Sequence, residues 1–195
     1  MFPKLVFNVH NPQLPFMADL EEEYTELIQL LEQCASLIEH EAALYSAQPA
    51  VSKWSPAQHL HHVLKANGMM LKAVAVLCQR PPTTPSDAGL TPAGRTTLHQ
   101  GMVRGAGRSP DNLVPPEAPD RAELRAVYRR SLQRTERTQP LLHAIPLAQA
   151  RLPHPYFGHM NASEWLRFTR IHVAHHLSII EEILAHANQD TAPSP

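Results

Sequence analysis

The sequence lacks an excess of charge of either sign and has little cysteine. Its 17 Lys and Arg residues are balanced by 18 Asp and Glu residues, which leaves a formal net charge of −1. The chain therefore has no single-sign field to attract nucleic acid or an anionic membrane surface. The two cysteines, Cys34 and Cys78, lie inside helical patterns. That placement is typical of small buried side chains in a reducing compartment and excludes a disulfide scaffold.

Long apolar runs and targeting signals are also missing. No stretch is apolar for long enough to span a bilayer. Residues 1–15 have neither the basic start nor the apolar centre of a signal peptide. We therefore expect a cytoplasmic protein that binds neither nucleic acid nor membranes. What is present suits one globular domain with its own core, since the 195 residues are 43% hydrophobic and 18% charged.

Apolar periodicity and capping residues predict four helices. The first begins at Ala18 and carries a long apolar stripe that could cover either the core or a partner. The other three open with capping signatures, at residues 55–58, 120–123 and 161–164. The last of them ends near Ala187.

The remaining segments connect or flank these helices. Residues 1–17 hold three prolines and no clear period, which indicates an N-terminal arm, and residues 188–195 read as a disordered tail. Residues 80–119 hold most of the glycines and many prolines, which predicts a long, functional or mobile connection with room for one short helical turn. No run alternates as a strand does, so residues 18–187 are predicted to form an all-α four-helix bundle.

The fourth helix carries the most informative motif, a pair of histidines on its apolar face. His172 and His176 are four residues apart, which places both imidazoles on one side of the helix, one turn apart. The chain has 13 histidines, yet no other two have this spacing. Imidazoles on a core-facing stripe need a partner, and a metal ion is a common one. The stripe also contains Trp165, Phe168, Ile179 and Ile183.

A third ligand should come from a facing helix, and the second helix offers three histidines. His59 and His62 share one face of that helix, whereas His61 falls on the other side. Periodicity alone does not choose between His59 and His62.

Residues 54–62, Trp-Ser-Pro-Ala-Gln-His-Leu-His-His, resemble the second-helix signature of the DinB-like (YfiT-like) metalloenzymes. In that family a metal-binding histidine lies eight residues after the tryptophan, which is the position of His62. The last helix of the family carries a His-x-x-x-His pair, often with another histidine just before the second ligand. His172, His175 and His176 resemble that arrangement. The resemblance extends over about residues 18–187.

Residues 154–158, followed by Glu164 and Trp165 at the start of the last helix, resemble the same region of an uncharacterised DinB-like subfamily. The resemblance implies a four-helix bundle connected up-down-down-up. It also implies a divalent metal ion held by His62, His172 and His176, and Zn, Ni, Mn and Fe all accept imidazole. Three protein ligands leave positions open, so the catalytic group would be a metal-bound water in a hydrolase. In a transferase of a low-molecular-weight thiol it would be a bound thiolate. A small-molecule substrate and a homodimer are further expectations.

Three more residues are expected near the ligands. His59 is the alternative third ligand, and His175 lies off the stripe, which suits a place beside or behind the ligands. Asn67, five residues after His62, could line the site or lie on the helix surface. A fourth protein ligand, His59 or His175, would favour a structural role. The alternative function is therefore a non-enzymatic metal-binding or stress-related dimeric bundle, and a third interpretation is a histidine cluster without metal.

Overall fold

Side-chain caps set where two of the long helices begin. The Ser55 hydroxyl accepts the N–H of Gln58 at 3.4 Å, and the Gln58 side-chain oxygen accepts the N–H of Ser55 at 3.0 Å. Pro56 follows in the first helical turn, where its missing N–H costs nothing. Asn161 and Glu164 exchange the same two kinds of bond at the start of the last helix. The capping signatures in the sequence therefore predict these helix starts correctly.

The computed structural model describes residues 14–80, 88–105 and 107–190. This part of the chain is mostly helical, as predicted, and none of its helices is both long and apolar enough to cross a bilayer. The helices are α1 (Leu14–His40), α2 (Pro56–Gln79), α3 (Pro92–Gln100), α4 (Arg121–Glu136) and α5 (Ala162–Asp190). Short 3-10 segments lie at Asp111–Leu113 and Gln139–Leu147, and strands β1 (Leu152–His154) and β2 (Gly158–Met160) pair antiparallel.

The four long helices bury a shared core. α2 has its most extensive contact with α5 and also packs against α4, while α1 packs against both α4 and α5. The apolar stripe of α1 is buried inside the chain, so it serves the core and not a partner. Each fully buried leucine of this kind contributes about 1.5–3 kcal/mol relative to exposure. The stripe consists of Leu20, Tyr24, Leu27, Leu31, Cys34 and Ile38.

The connection between α2 and α4 contains more regular structure than the sequence predicts. It forms the nine-residue helix α3, in which the Thr91 hydroxyl accepts the N–H of Gly94 at 3.1 Å. The 3-10 turn at Asp111–Leu113 follows. The hairpin of β1 and β2 is not predicted either, because strands of three residues are too short for an alternating pattern to show.

The two ends of the helical domain also differ from the prediction. α1 begins at Leu14, four residues before the predicted start, because Pro15 lies in the first turn and does not interrupt a helix there. α5 continues to Asp190, beyond the predicted end near Ala187. The rest of the predicted arm and tail, residues 1–13 and 191–195, lies outside the described residues.

The hairpin is joined closely to the start of α3. The N–H of His159 donates to the carbonyl of Gly89 at 3.0 Å, and the N–H of Thr91 donates to the carbonyl of Phe157 at 2.9 Å. Gly158 has a φ of 82°, and a Cβ added there would lie 2.5 Å from the Gly89 carbonyl oxygen. Glycine is therefore required at this position for both its backbone angle and its lack of a side chain.

We expect Gly158→Ala to lower the free energy of unfolding by about 2–4 kcal/mol, because backbone strain and steric overlap add at this position. Gly105→Ala is a matched control. Gly105 also has a positive φ, 71°, but no atom of the described residues lies within 4 Å of an added Cβ, so its cost should be about 1 kcal/mol. Chemical denaturation of both variants measures the difference. Equal losses would show that the close approach of the hairpin to α3 contributes nothing.

Candidate metal centre

The contact between α2 and α5 brings three histidines together. His62 lies in the second turn of α2, and His172 and His176 lie on successive turns of α5. The ring centroids of His172 and His176 are 4.6 Å apart, and those of His62 and His176 are 4.7 Å apart. The three residues are only 4–8% exposed. Imidazoles that are buried this close together need hydrogen-bond partners or a metal ion for their ring nitrogens.

The inner ring nitrogens of His62 and His172 lie at a distance that suits a shared ion. Nε2 of His62 lies 3.4 Å from Nε2 of His172, and one nitrogen of each of the three rings lies within 4.8 Å of the other two. Two nitrogens bound to one tetrahedral ion at about 2.0–2.1 Å lie about 3.3 Å apart. Within the described ranges, no other group of His, Cys, Asp or Glu side chains converges in this way.

The second nitrogen of each ring has a different environment. Nδ1 of His62 lies 2.9 Å from the carbonyl oxygen of Leu113. Because a carbonyl can only accept, His62 donates there and keeps its lone pair on Nε2. Nδ1 of His176 lies 2.9 Å from Nδ1 of His59. Nδ1 of His172 is buried without a hydrogen-bond partner among the described residues. His172 gains so little from hydrogen bonding that an ion on its Nε2 would offset part of its burial cost.

Burial keeps these histidines uncharged at neutral pH. It is the main cause that lowers the pKa of His172 and of His176 well below the usual range, and repulsion from neighbouring histidines adds to it. Burial also lowers the pKa of His62, although the bond to the Leu113 carbonyl acts in the opposite direction. Neutral imidazole is the form that binds a metal ion, so these ligands need not lose a proton first.

Aromatic side chains surround the histidine cluster. The ring centroid of Trp54 lies between 5.0 and 6.5 Å from those of His59, His62 and His176. Trp54 directly precedes the cap of α2, so the residues that start the helix also place this ring on the cluster. Its apolar face lowers the local polarity, which strengthens electrostatic interactions at the inner nitrogens.

A second aromatic group adjoins the cluster through Phe168, whose ring centroid lies 5.8 Å from that of His172. In this group His154 stacks on Phe157 at 4.4 Å with nearly parallel rings, and it lies 5.4 Å from Trp165. Burial lowers the pKa of His154 to about 4. The rings of His154, Phe157, Trp165 and Phe168 thus form an uncharged wall beside His172.

The donor set fits a divalent ion that accepts nitrogen ligands. Zn, Ni and Fe bind neutral imidazole readily, and no carboxylate joins the three nitrogens in the part of the chain described. A family model described as the DinB superfamily matches residues 19–180, a range that contains all three histidines. The chain belongs to the DinB superfamily. No curated protein matches it, and no solved structure matches it either.

The three histidines predicted as ligands are the ones that converge in this DinB-superfamily chain, and the structure separates His62 from His59. His62 is the α2 residue whose nitrogen converges with those of His172 and His176. His59 lies behind His176, and its other nitrogen, Nε2, is 2.9 Å from the hydroxyl of Ser52. Both nitrogens of His59 therefore have partners, and neither is free for an ion.

The other residues expected near the ligands have different places. The ring of His175 lies 5.3 Å from that of His176, beside the cluster and half-buried. Asn67 does not line the site, which corrects the expectation. It is fully buried in the core, where its amide donates to the hydroxyls of Ser131 at 2.7 Å and Thr135 at 3.1 Å. Five helical residues turn its side chain about 140° away from that of His62.

Sequence patterns did not identify several residues that contact the histidines. Leu113 contributes a backbone carbonyl, so its residue type carries no signal for this contact. Ser52 and Ser109, whose hydroxyls lie 2.9 Å from His59 and 3.5 Å from His62, are ordinary loop serines in the sequence. Trp54 also lies on the cluster. Its place in the same signature as His62 is the signal that could have indicated this.

We expect the metal-free protein to lose stability in acid, and His154 is one cause. Its pKa is about 4 in the folded chain and 6.5 without burial. Between these values the unfolded chain binds a proton that the folded chain does not. The buried, uncharged ring of His154 therefore makes its full contribution to the free energy of unfolding above pH 6.5, and this contribution is lost as the pH falls towards 4.

His154→Phe tests this expectation, because it keeps a ring on Phe157 and removes the titrating group. The free energy of unfolding of this variant, measured by denaturant titration across the same pH range, should fall less steeply than that of the wild type. The same substitution at the exposed His143 controls for the loss of one imidazole. An unchanged pH slope in His154→Phe would show that this histidine does not contribute.

Proposed function

We propose that this chain is a metal-dependent enzyme that acts on a small-molecule substrate, either as a hydrolase or as a transferase of a low-molecular-weight thiol. The observation that carries the proposal is the convergence of three buried, uncharged imidazoles, those of His62, His172 and His176. Three protein nitrogens leave at least one position on a tetrahedral ion for water or substrate, whereas structural zinc is usually closed by a fourth protein ligand.

The neighbouring histidines support an open site. His59 has partners on both ring nitrogens, and His175 is not part of the converging group. Within the described residues, therefore, the converging group has three members. An incomplete set of this kind is the arrangement that lets a metal ion take part in a reaction.

A divalent ion at this site, Zn, Ni, Mn or Fe, would supply Lewis acidity that activates water or a thiol at neutral pH. The residues of the chain hold and shield that position. The Leu113 carbonyl fixes the proton of His62 on Nδ1, and Trp54 and Phe168 limit the access of water to the rings. The proposal takes the bundle to be connected up-down-down-up and to form a homodimer, as the resemblance implies.

The burial of the three rings favours a second candidate function, a metal-binding bundle without catalysis. None of the three is more than 8% exposed, and the segment that carries Leu113 and Ser109 contacts His62 directly. If this segment stays in place, no substrate reaches the ion. A sealed ion would serve stability or metal sensing.

We expect the protein, purified without a histidine tag, to hold a divalent metal in near-stoichiometric amount. His62→Ala, His172→Ala and His176→Ala should each lose it, because two imidazoles bind a divalent ion much more weakly than three. His61→Ala is the matched control, since His61 is a buried histidine of the same helix that faces Glu123 at 3.3 Å. Elemental mass spectrometry measures the metal. Retention of metal by the three variants, or its loss from His61→Ala, would contradict the assignment.

The two candidate functions differ in whether a small ligand can reach the ion. We expect the protein loaded with Co²⁺ to change its visible absorption when cysteine is added, and to gain a sulfur-to-cobalt charge-transfer band, because the thiol enters the open position. Serine, of the same size without a thiol, is the control. A spectrum that cysteine leaves unchanged would favour the sealed, non-enzymatic bundle.

A further inference from the structure

His176 is hydrogen-bonded to His59, and His59 to Ser52, and the proposed function gives neither of these partners a role. Its Nδ1 lies 2.9 Å from Nδ1 of His59, and Nε2 of His59 lies 2.9 Å from the hydroxyl oxygen of Ser52. His59 is only 3% exposed. The three residues therefore form a continuous hydrogen-bonded chain that leads from the loop before α2 to a candidate metal ligand.

The distances require one proton in each of the two contacts. The protons of this hydrogen-bonded series can therefore be arranged in two ways. In the first, His176 donates from Nδ1 to His59, and His59 donates from Nε2 to Ser52. His176 then has its lone pair on Nε2, where it can bind an ion. In the second, Ser52 donates to His59 and His59 donates to His176. His176 then carries its proton on Nε2, which cannot bind an ion.

Ser52 is held in a position that permits the first arrangement, in which it accepts a proton from His59. Its backbone N–H donates to the carbonyl of Gln48 at 2.9 Å, and its hydroxyl oxygen accepts the N–H of Trp54 at 3.1 Å. A hydroxyl oxygen has two lone pairs, so it can accept from His59 as well. Ser52 thus presents His59 with a hydroxyl oxygen that can accept its Nε2 proton, just before the helix that carries His59.

We propose that His59, oriented by Ser52, is a positioning residue for the metal ion: it accepts the Nδ1 proton of His176 and so keeps the Nε2 lone pair of His176 directed at the ion. This inference rests on the proposed function, because it concerns the same site. It gives His59 a role other than that of a third or fourth ligand. Residues that fix the second nitrogen of a ligating histidine in this way raise metal affinity.

The three candidate ligands differ in how firmly their proton is placed. The Leu113 carbonyl can only accept, so it holds the proton of His62 on Nδ1 in all conditions. His172 has no partner on Nδ1 among the described residues. Only His176 depends on an imidazole that can either donate or accept. Whether His176 has a lone pair available for the ion is therefore determined by other side chains. The contact between His176 and His59 is consequently the one to test.

The test compares metal affinity in variants of His59, measured by competition with a chromogenic chelator and Zn²⁺. His59→Leu removes the acceptor and should weaken binding about 10–100-fold. His59→Asn places a side-chain oxygen near the position of Nδ1 and should restore most of the affinity. Ser52→Ala should weaken binding in the same direction but less. His61→Leu, which changes a buried histidine that faces Glu123, should bind Zn²⁺ as the wild type does.

A second measurement does not depend on the folding of any variant. Nitrogen NMR of the Zn²⁺-loaded wild type should show the proton of His59 on Nε2 and that of His176 on Nδ1. The opposite tautomer of His59 would overturn the inference, as would wild-type affinity in His59→Leu or equal losses in the Leu and Asn variants. Those results would leave the three-histidine site intact. Failure of the wild type to bind any metal would instead overturn the proposed function, and this inference with it.

Discussion

The rest of the structure depends on keeping imidazoles uncharged in the contact between α2 and α5. A charged group buried there would cost far more than a neutral one, and rings with centroids 4.6–4.7 Å apart repel each other when protonated. Burial therefore selects the neutral form, which still needs partners for its nitrogens. The surrounding chain supplies a carbonyl at Leu113 for His62 and a hydroxyl at Ser52 for His59, and the ring of Trp54 packs against the imidazoles.

Those partners come from segments that are distant in sequence. Ser52 and Trp54 lie immediately before α2, so the capping box that starts the helix also places them beside its first two turns. Leu113 comes from the connection between α3 and α4, 51 residues after His62. The two histidine-bearing helices thus bring the inner nitrogens together, while loop residues contact the outer nitrogen of His62 directly and that of His176 through His59. The candidate centre is consequently a property of the whole domain.

The sequence predicted the features of this structure that depend on periodic spacing or on helix capping. Helix starts at Ser55 and Asn161 follow from local hydrogen bonds, and the histidine pair of α5 follows from a spacing of four. The all-helical class was also predictable, because long apolar stripes need no knowledge of distant contacts. The hairpin, the Leu113 contact and the partners of Asn67 were not. They depend on three-residue strands, a backbone atom and hydroxyls of a distant helix, none of which leaves a pattern in residue types.

The lowered pKa values of the histidines in the cluster affect how such a centre would take up a divalent cation. Protons and divalent cations compete for the same lone pairs, and in an exposed histidine site this competition begins just below neutral pH. Here burial has already displaced the protons from His172 and His176. Uptake of a cation would therefore release few protons near neutrality. Mild acidification would compete little with the ion, and the occupancy of the centre would follow the supply of metal in its surroundings.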